Sequence, residues 1–129
     1  MNSQSSNPRR IRSDTETGAY SASVVASGTL VFVSGQGPIV DGEVQQGSIE
    51  DQTRLTINNL KSELERAGSG LDQLVKVTVY LADIGDFDRF DTEYRRHVPE
   101  PLPARTTVGA ALGGIAIEVD CVATAGSGR

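Results

Sequence analysis

Arg105 stands in the run Pro103-Ala104-Arg105-Thr106-Thr107-Val108, and two carboxylates, Glu118 and Asp120, stand in a second run a short way downstream. Between them, Leu112-Gly113-Gly114 predicts a turn that folds the runs together as an antiparallel hairpin. Side chains alternate between the two faces of a strand. In that register Thr107 falls opposite Glu118 and Arg105 opposite Asp120, while Val108, Ile115, Ile117, Val119 and Cys121 form an apolar face. A guanidinium is a rigid fork of donors that grips a carboxylate by two bonds. A neighbouring glutamate steers a water or moves a proton. The chemistry expected of such a set is the handling of small carboxylic acids. An arginine and a glutamate on adjacent strands also form ordinary structural ion pairs, and the pattern alone leaves both readings open.

The elements that must position these residues are legible in outline. An N-terminal stretch, residues 1–8, reads as a flexible leader running into a first edge strand from Arg9, and residues 126–129 read as a tail, leaving one domain over 9–125. The runs Ala22 to Ala26 and Leu30 to Ser34, joined by Ser27-Gly28, predict a hairpin. Ser34-Gly35-Gln36-Gly37-Pro38 then breaks the strand, with glycines that let backbone bend or approach a ligand. It lacks the Lys-Ser or Lys-Thr ending of a phosphate loop.

A helix is predicted from Ser48, capped with Asp51, to Gly68, with Thr53, Ile57, Leu60, Leu64 and Ala67 on its core stripe. Val75, Val77, Val79 and Leu81 alternate with Lys76, Thr78 and Tyr80, as in a strand with one wetter face. Asp86 heads a second helix with Phe87, Phe90 and Tyr94 on its inner face, and Pro99, Pro101 and Pro103 stop it. Six strands and two helices in this order predict an α+β domain, a mixed six-stranded sheet with both helices on one face. The other face then needs cover, which points to assembly with further subunits.

Composition narrows the function classes. The chain has 129 residues, a formal charge of −5, one Cys and one His. Such a balance disfavours broad electrostatic contact with nucleic acid or an anionic membrane. No disulfide or zinc site can be drawn from the lone Cys and His. No apolar run suits a signal peptide or a membrane span, and a cytoplasmic protein is expected. His97, beside Arg95 and Arg96, suits a helix end; Cys121 suits a buried thiol.

Taken together, Val33-Ser34-Gly35-Gln36, the helix ending Ala67-Gly68, the strand Val77-Thr78-Val79-Tyr80-Leu81, and Pro103-Ala104-Arg105-Thr106 followed by Ile117-Glu118-Val119 resemble the Rid proteins. These reactive intermediate deaminases are also known as YjgF-like proteins and by the older name L-PSP endoribonucleases. The resemblance spans about Tyr20 to Ala123. It implies a chorismate-mutase-like fold, three copies forming a trimeric barrel, and ligand clefts between subunits. It also implies that Arg105 anchors the carboxylate of a 2-imino or 2-enamino acid and that Glu118 positions water. Tyr20 and Gly35 then line the cleft, and no cofactor is required.

Thr107 stands where well-known members carry cysteine, Asp91 where asparagine is frequent, and Ala19 where proline is usual; Thr107 and Asp91 are candidate substrate contacts. The implied activity is hydrolytic deamination to a 2-oxo acid and ammonia. The alternative is a non-catalytic module that binds or senses small carboxylates through Arg105. Ribonuclease activity fits an acidic chain less well.

Overall fold

The computed structural model describes residues 7–13 and 17–126; most of the expected leader and residues 127–129 of the expected tail lie outside the described residues. The strands are β1 (Arg9–Ile11), β2 (Ser23–Val25), β3 (Leu30–Gln36), β4 (Ile39–Val40), β5 (Glu43–Val44), β6 (Leu74–Leu81), β7 (Ala104–Gly109) and β8 (Ile117–Thr124). The helices are α1 (Ile49–Arg66) and α2 (Phe87–His97). The principal sheet has the order β3-β8-β6-β7, with β6 and β7 parallel and the other neighbours antiparallel. This is the expected α+β arrangement, with four strands in the main sheet instead of six. The pairs β1-β2 and β4-β5 form separate ribbons. A single bridge from Ser21 to Ala104 joins the first ribbon to the sheet edge, and Arg10 ties it further by donating to the carbonyls of Asp72 and Leu74.

Helix α1 forms where the sequence places it. Ser48 Oγ accepts from the amide of Asp51 at 3.0 Å, which satisfies an amide that has no partner within the helix. Thr53, Ile57, Leu60 and Leu64 are buried along one stripe, and each large apolar side chain so buried contributes about 1.5–3 kcal/mol. They meet Val77, Val79 and Leu81 of β6 and Ile117, Val119, Cys121 and Ala123 of β8 in one core, joined by Phe90 and Tyr94 from α2. In β6 the alternation begins one residue differently from the sequence pattern. A register shift between Leu74 and Lys76 buries Leu74 and leaves Val75 half-buried.

Two expected hairpins do not form. β2 pairs with β1, not with β3, and Ser27 is instead bracketed by Asn7, whose amide side chain bonds both its carbonyl and its N–H. More consequential for function, β7 and β8 are not neighbours, because β6 lies between them. The reason is connectivity. Helix α2 and the proline-rich stretch carry the chain from β6 back to the same end of the sheet, so β7 adds parallel to β6 as a strand-helix-strand unit. The residues between β7 and β8 are long enough to pass β6 and return on its far side.

The sheet therefore has two unlike faces. Arg105 pairs with Val77 and Thr107 with Val79, while Glu118 pairs with Tyr80 and Asp120 with Thr78. Paired residues share a face. Arg105 and Thr107 thus lie on the helix-covered side with Ile117, Val119 and Cys121, and Glu118 and Asp120 on the open side with Val108. The predicted convergence of these four polar groups within one chain is overturned. On the open face Phe32 is 74% exposed, and Leu30 and Val108 are exposed as well. Among the described residues no helix is long and apolar enough to cross a membrane.

Candidate active site

Arg105 reaches under α2, where its side chain is 1% exposed. Its guanidinium carbon lies 4.8 Å from the ring centre of Tyr94, 5.1 Å from Phe90, 5.5 Å from Phe87 and 5.7 Å from Tyr20. A cation over aromatic faces gains about 0.5–2 kcal/mol per favourable contact, more when water is excluded. The charge is balanced by Asp91, 16% exposed, whose Oδ1 lies 2.7 Å from Arg105 Nη1. The same nitrogen donates to the carbonyl of Ala19 at 3.0 Å, and the amide of Ala19 donates to Asp91 Oδ1 at 3.0 Å. The turn at residues 18–20 closes over the pair, with the amide of Tyr20 donating to the carbonyl of Gly18. The Tyr20 hydroxyl is held in turn by the amide of Thr17 at 3.2 Å. Tyr20, Asp91 and Arg105, three of the residues singled out in the sequence, are one constellation.

Glu118 belongs to a second constellation on the open face. Gly35 sits at an irregularity in the β3-β8 pairing, and Glu118 lies directly across it: a Cβ built on Gly35 would be 2.1 Å from Glu118 Oε2. Only a residue without a side chain allows this approach. Beside it, Tyr80 donates to Asp120 Oδ2 at 3.0 Å. That bond, with the charges of Asp120 and Glu118, raises the Tyr80 phenol above its ordinary pKa. Phe32, Ser34, Gly35, Asp120 and Val122 line a depression of about 360 Å³ here. Gly35 and Glu118 thus come together, and the sheet separates them from Arg105.

Thr107 keeps its hydroxyl buried on the Arg105 side with no hydrogen-bond partner among the described residues. Cys121 is a buried free thiol, which burial pushes up to about 12. His97 ends α2 with Nε2 2.6 Å from Glu93 Oε2, a helix-end contact away from both constellations. Among the described residues no group of three or more His, Cys, Asp or Glu is placed to hold a metal ion. Sequence reading had treated Phe87, Phe90 and Tyr94 only as core and had missed the backbone of Ala19. The available signal was compositional: of three Phe and three Tyr in the chain, two of each surround Arg105.

A mixed sheet with two helices on one face, a caged arginine on one side and a glutamate over glycine on the other define an α+β domain of the YjgF type. The family model described as Endoribonuclease L-PSP matches residues 12–125, and the chain belongs to that family, which includes the Rid and RutC proteins. It is 47% identical over 104 residues to the mitochondrial protein mmf2 of Schizosaccharomyces pombe, covering 77% of this chain and 82% of that protein. It is 36% identical over 111 residues to the chloroplastic Reactive Intermediate Deaminase A of Arabidopsis thaliana, covering 83% of this chain and 59% of that protein. The crystal structure of E. coli TdcF with bound serine superposes with a TM-score of 0.70 at 28% identity, over 92% of this chain and 99% of that one.

These names correct the expectation of a cytoplasmic protein, since mmf2 is named as mitochondrial.

Proposed function

We propose that this protein hydrolyses reactive 2-imino and 2-enamino acids to 2-oxo acids and ammonia, in a mitochondrial rather than purely cytoplasmic setting. The observation that carries the reading is Arg105: a guanidinium fixed by four rings and one carboxylate is a rigid anchor for a small carboxylic acid. The name of the Arabidopsis relative and serine bound in TdcF support a ligand of amino-acid size.

Glu118 is the water-positioning group. Because Arg105 and Glu118 lie on opposite faces of the sheet, a site using both is completed by a neighbouring subunit, and a homotrimer with clefts between subunits provides it. The exposed Phe32, Leu30 and Val108 are the surface such assembly would cover. In the reaction, Glu118 orients water toward the imine carbon and accepts its proton as the C–O bond forms. That proton passes to nitrogen to give a carbinolamine; the hydroxyl proton then follows to nitrogen as C=O forms and the C–N bond breaks, and a 2-oxo acid and ammonia leave, an enamine entering the same route after tautomerising to the imine. The C=N group is itself the electrophile, so no cofactor enters the scheme.

The rival reading, a module that binds small carboxylates without turning them over, is favoured by the absence of Glu118 from the Arg105 side of a single chain. The test is the rate of 2-oxo acid formation from imino acids generated in situ by an amino-acid oxidase. Acceleration by the native protein, lost in Arg105→Ala and in Arg105→Lys, supports the deaminase. No acceleration with any imine by the folded protein refutes it and leaves the binding module.

A further inference from the structure

Arg105 and Asp91 do not present a bare positive charge. Nη1 of Arg105 and Oδ1 of Asp91, 2.7 Å apart, are both engaged by one residue, Ala19, whose C=O accepts from Arg105 at 3.0 Å and whose N–H donates to Asp91 at 3.0 Å. The N–Cα–C=O unit of Ala19 is the skeleton of an α-amino acid. The pair therefore already grips a donor nitrogen and an acceptor oxygen separated by one tetrahedral carbon. Beside it, the position a Cβ of Gly18 would take is 3.2 Å from both Arg105 Nη2 and Asp91 Oδ1, and 3.5 Å from the ring of Tyr20. Both charged groups thus face the same position, which any side chain at residue 18 would crowd.

We propose that Asp91 makes this a zwitterion site: it selects ligands carrying a protonated nitrogen one carbon from the carboxylate, as 2-iminio and 2-amino acids do, over 2-oxo acids, with the backbone of Ala19 holding the place until the ligand displaces it. The inference rests on Arg105 as the carboxylate anchor. A 2-oxo acid brings a second anion to an arginine already neutralised and offers nothing to Asp91. A protonated imine offers Asp91 a charge-assisted N–H donor. Since the 2-oxo acid is the product of the proposed reaction, the same carboxylate that retains substrate expels product.

The experiment is calorimetric titration of the native assembly with a matched pair, L-2-aminobutanoate and 2-oxobutanoate, in the native protein, Asp91→Asn and Arg105→Lys. The native protein is expected to bind the amino acid at least about tenfold more tightly than the oxo acid, because unit charges ~4 Å apart interact strongly at the effective dielectric of such a site. Asp91→Asn is expected to bring the two within about twofold, chiefly by tightening the oxo acid. A native protein that binds the oxo acid as well or better overturns the proposal whether or not the variant folds, as does an undiminished preference in Asp91→Asn. Binding unchanged in Arg105→Lys, or neither ligand bound by the native protein, overturns the anchor and the proposal with it. The predicted preference found in a protein without imine turnover upholds the zwitterion site and refutes only the deaminase.

Discussion

Replacing Gly35 with alanine places a methyl group 2.1 Å from Glu118 Oε2, 2.8 Å from its Cδ and 3.1 Å from its Cγ. Ordinary contact needs about 3.5 Å, so the carboxylate must retreat by more than about 1 Å. A displacement of that size in a positioning group costs on the order of 10²-fold in rate. Stability should change little, within about 1 kcal/mol, because the obstructing atoms end a flexible side chain on a half-exposed face. Steady-state release of 2-oxo acid from an imine made in situ gives kcat, and chemical denaturation gives the stability. The two effects separate in a double-mutant cycle: in a Glu118→Ala background the clash is gone, and Gly35→Ala should add no further loss. A normal kcat in the Gly35→Ala protein, or an equal loss with and without Glu118, would refute the assignment of Glu118 as the positioned group.

Two further outcomes follow from an ion pair outside the site and from a hydroxyl beside Arg105. Arg89 holds Glu50 by two bonds, Nε to Oε2 at 2.8 Å and Nη2 to Oε1 at 2.7 Å, and lowers its pKa from 4.5 to about 2. A carboxylate depressed on folding stabilises the native state above its unfolded pKa and loses that contribution as pH falls through the folded one. Thermal unfolding of Glu50→Gln should therefore fall below the native midpoint at neutral pH and converge with it near pH ~2; a constant difference across that range would contradict the pairing. Tyr94 carries a buried hydroxyl without a hydrogen-bond partner among the described residues, and burial raises its pKa. Tyr94→Phe should leave stability unchanged or higher, to within about 1 kcal/mol by denaturant titration, and a loss beyond that would show that the hydroxyl is bonded.

Local signals carried much of the fold. Ser48 and the stripe through Ile57, Leu60 and Leu64 define α1 because cap and periodicity agree, and the alternation through Val77, Val79 and Leu81 defines a strand that is buried on one face. Strand partners were another matter. Leu112-Gly113-Gly114 has the composition of a tight turn, and Gly113 and Gly114 do adopt positive φ, but which strand lies beside β7 is decided by the passage of α2 across the sheet, a non-local property. One misplaced partner moved Glu118 and Asp120 to the face opposite Arg105. Asp91 and Tyr20 were found through family likeness, yet their contact with Arg105 depends on residues far apart in sequence meeting beneath α2. The sequence around Gly35 suggests only backbone freedom; what requires glycine there is the side chain of Glu118 lying across it.

The claim that Arg105 and Glu118 act together from different subunits is tested most directly by complementation. Arg105→Ala and Glu118→Ala chains, each inactive toward imines alone, are coexpressed in equal amounts so that they assemble at random. If each site takes its arginine from one subunit and its glutamate from the next, about one site in three of every mixed trimer and about a quarter of all sites are intact, and 2-oxo acid release should return to about a quarter of the native rate. Mixed assemblies that remain as inactive as either parent would contradict the account.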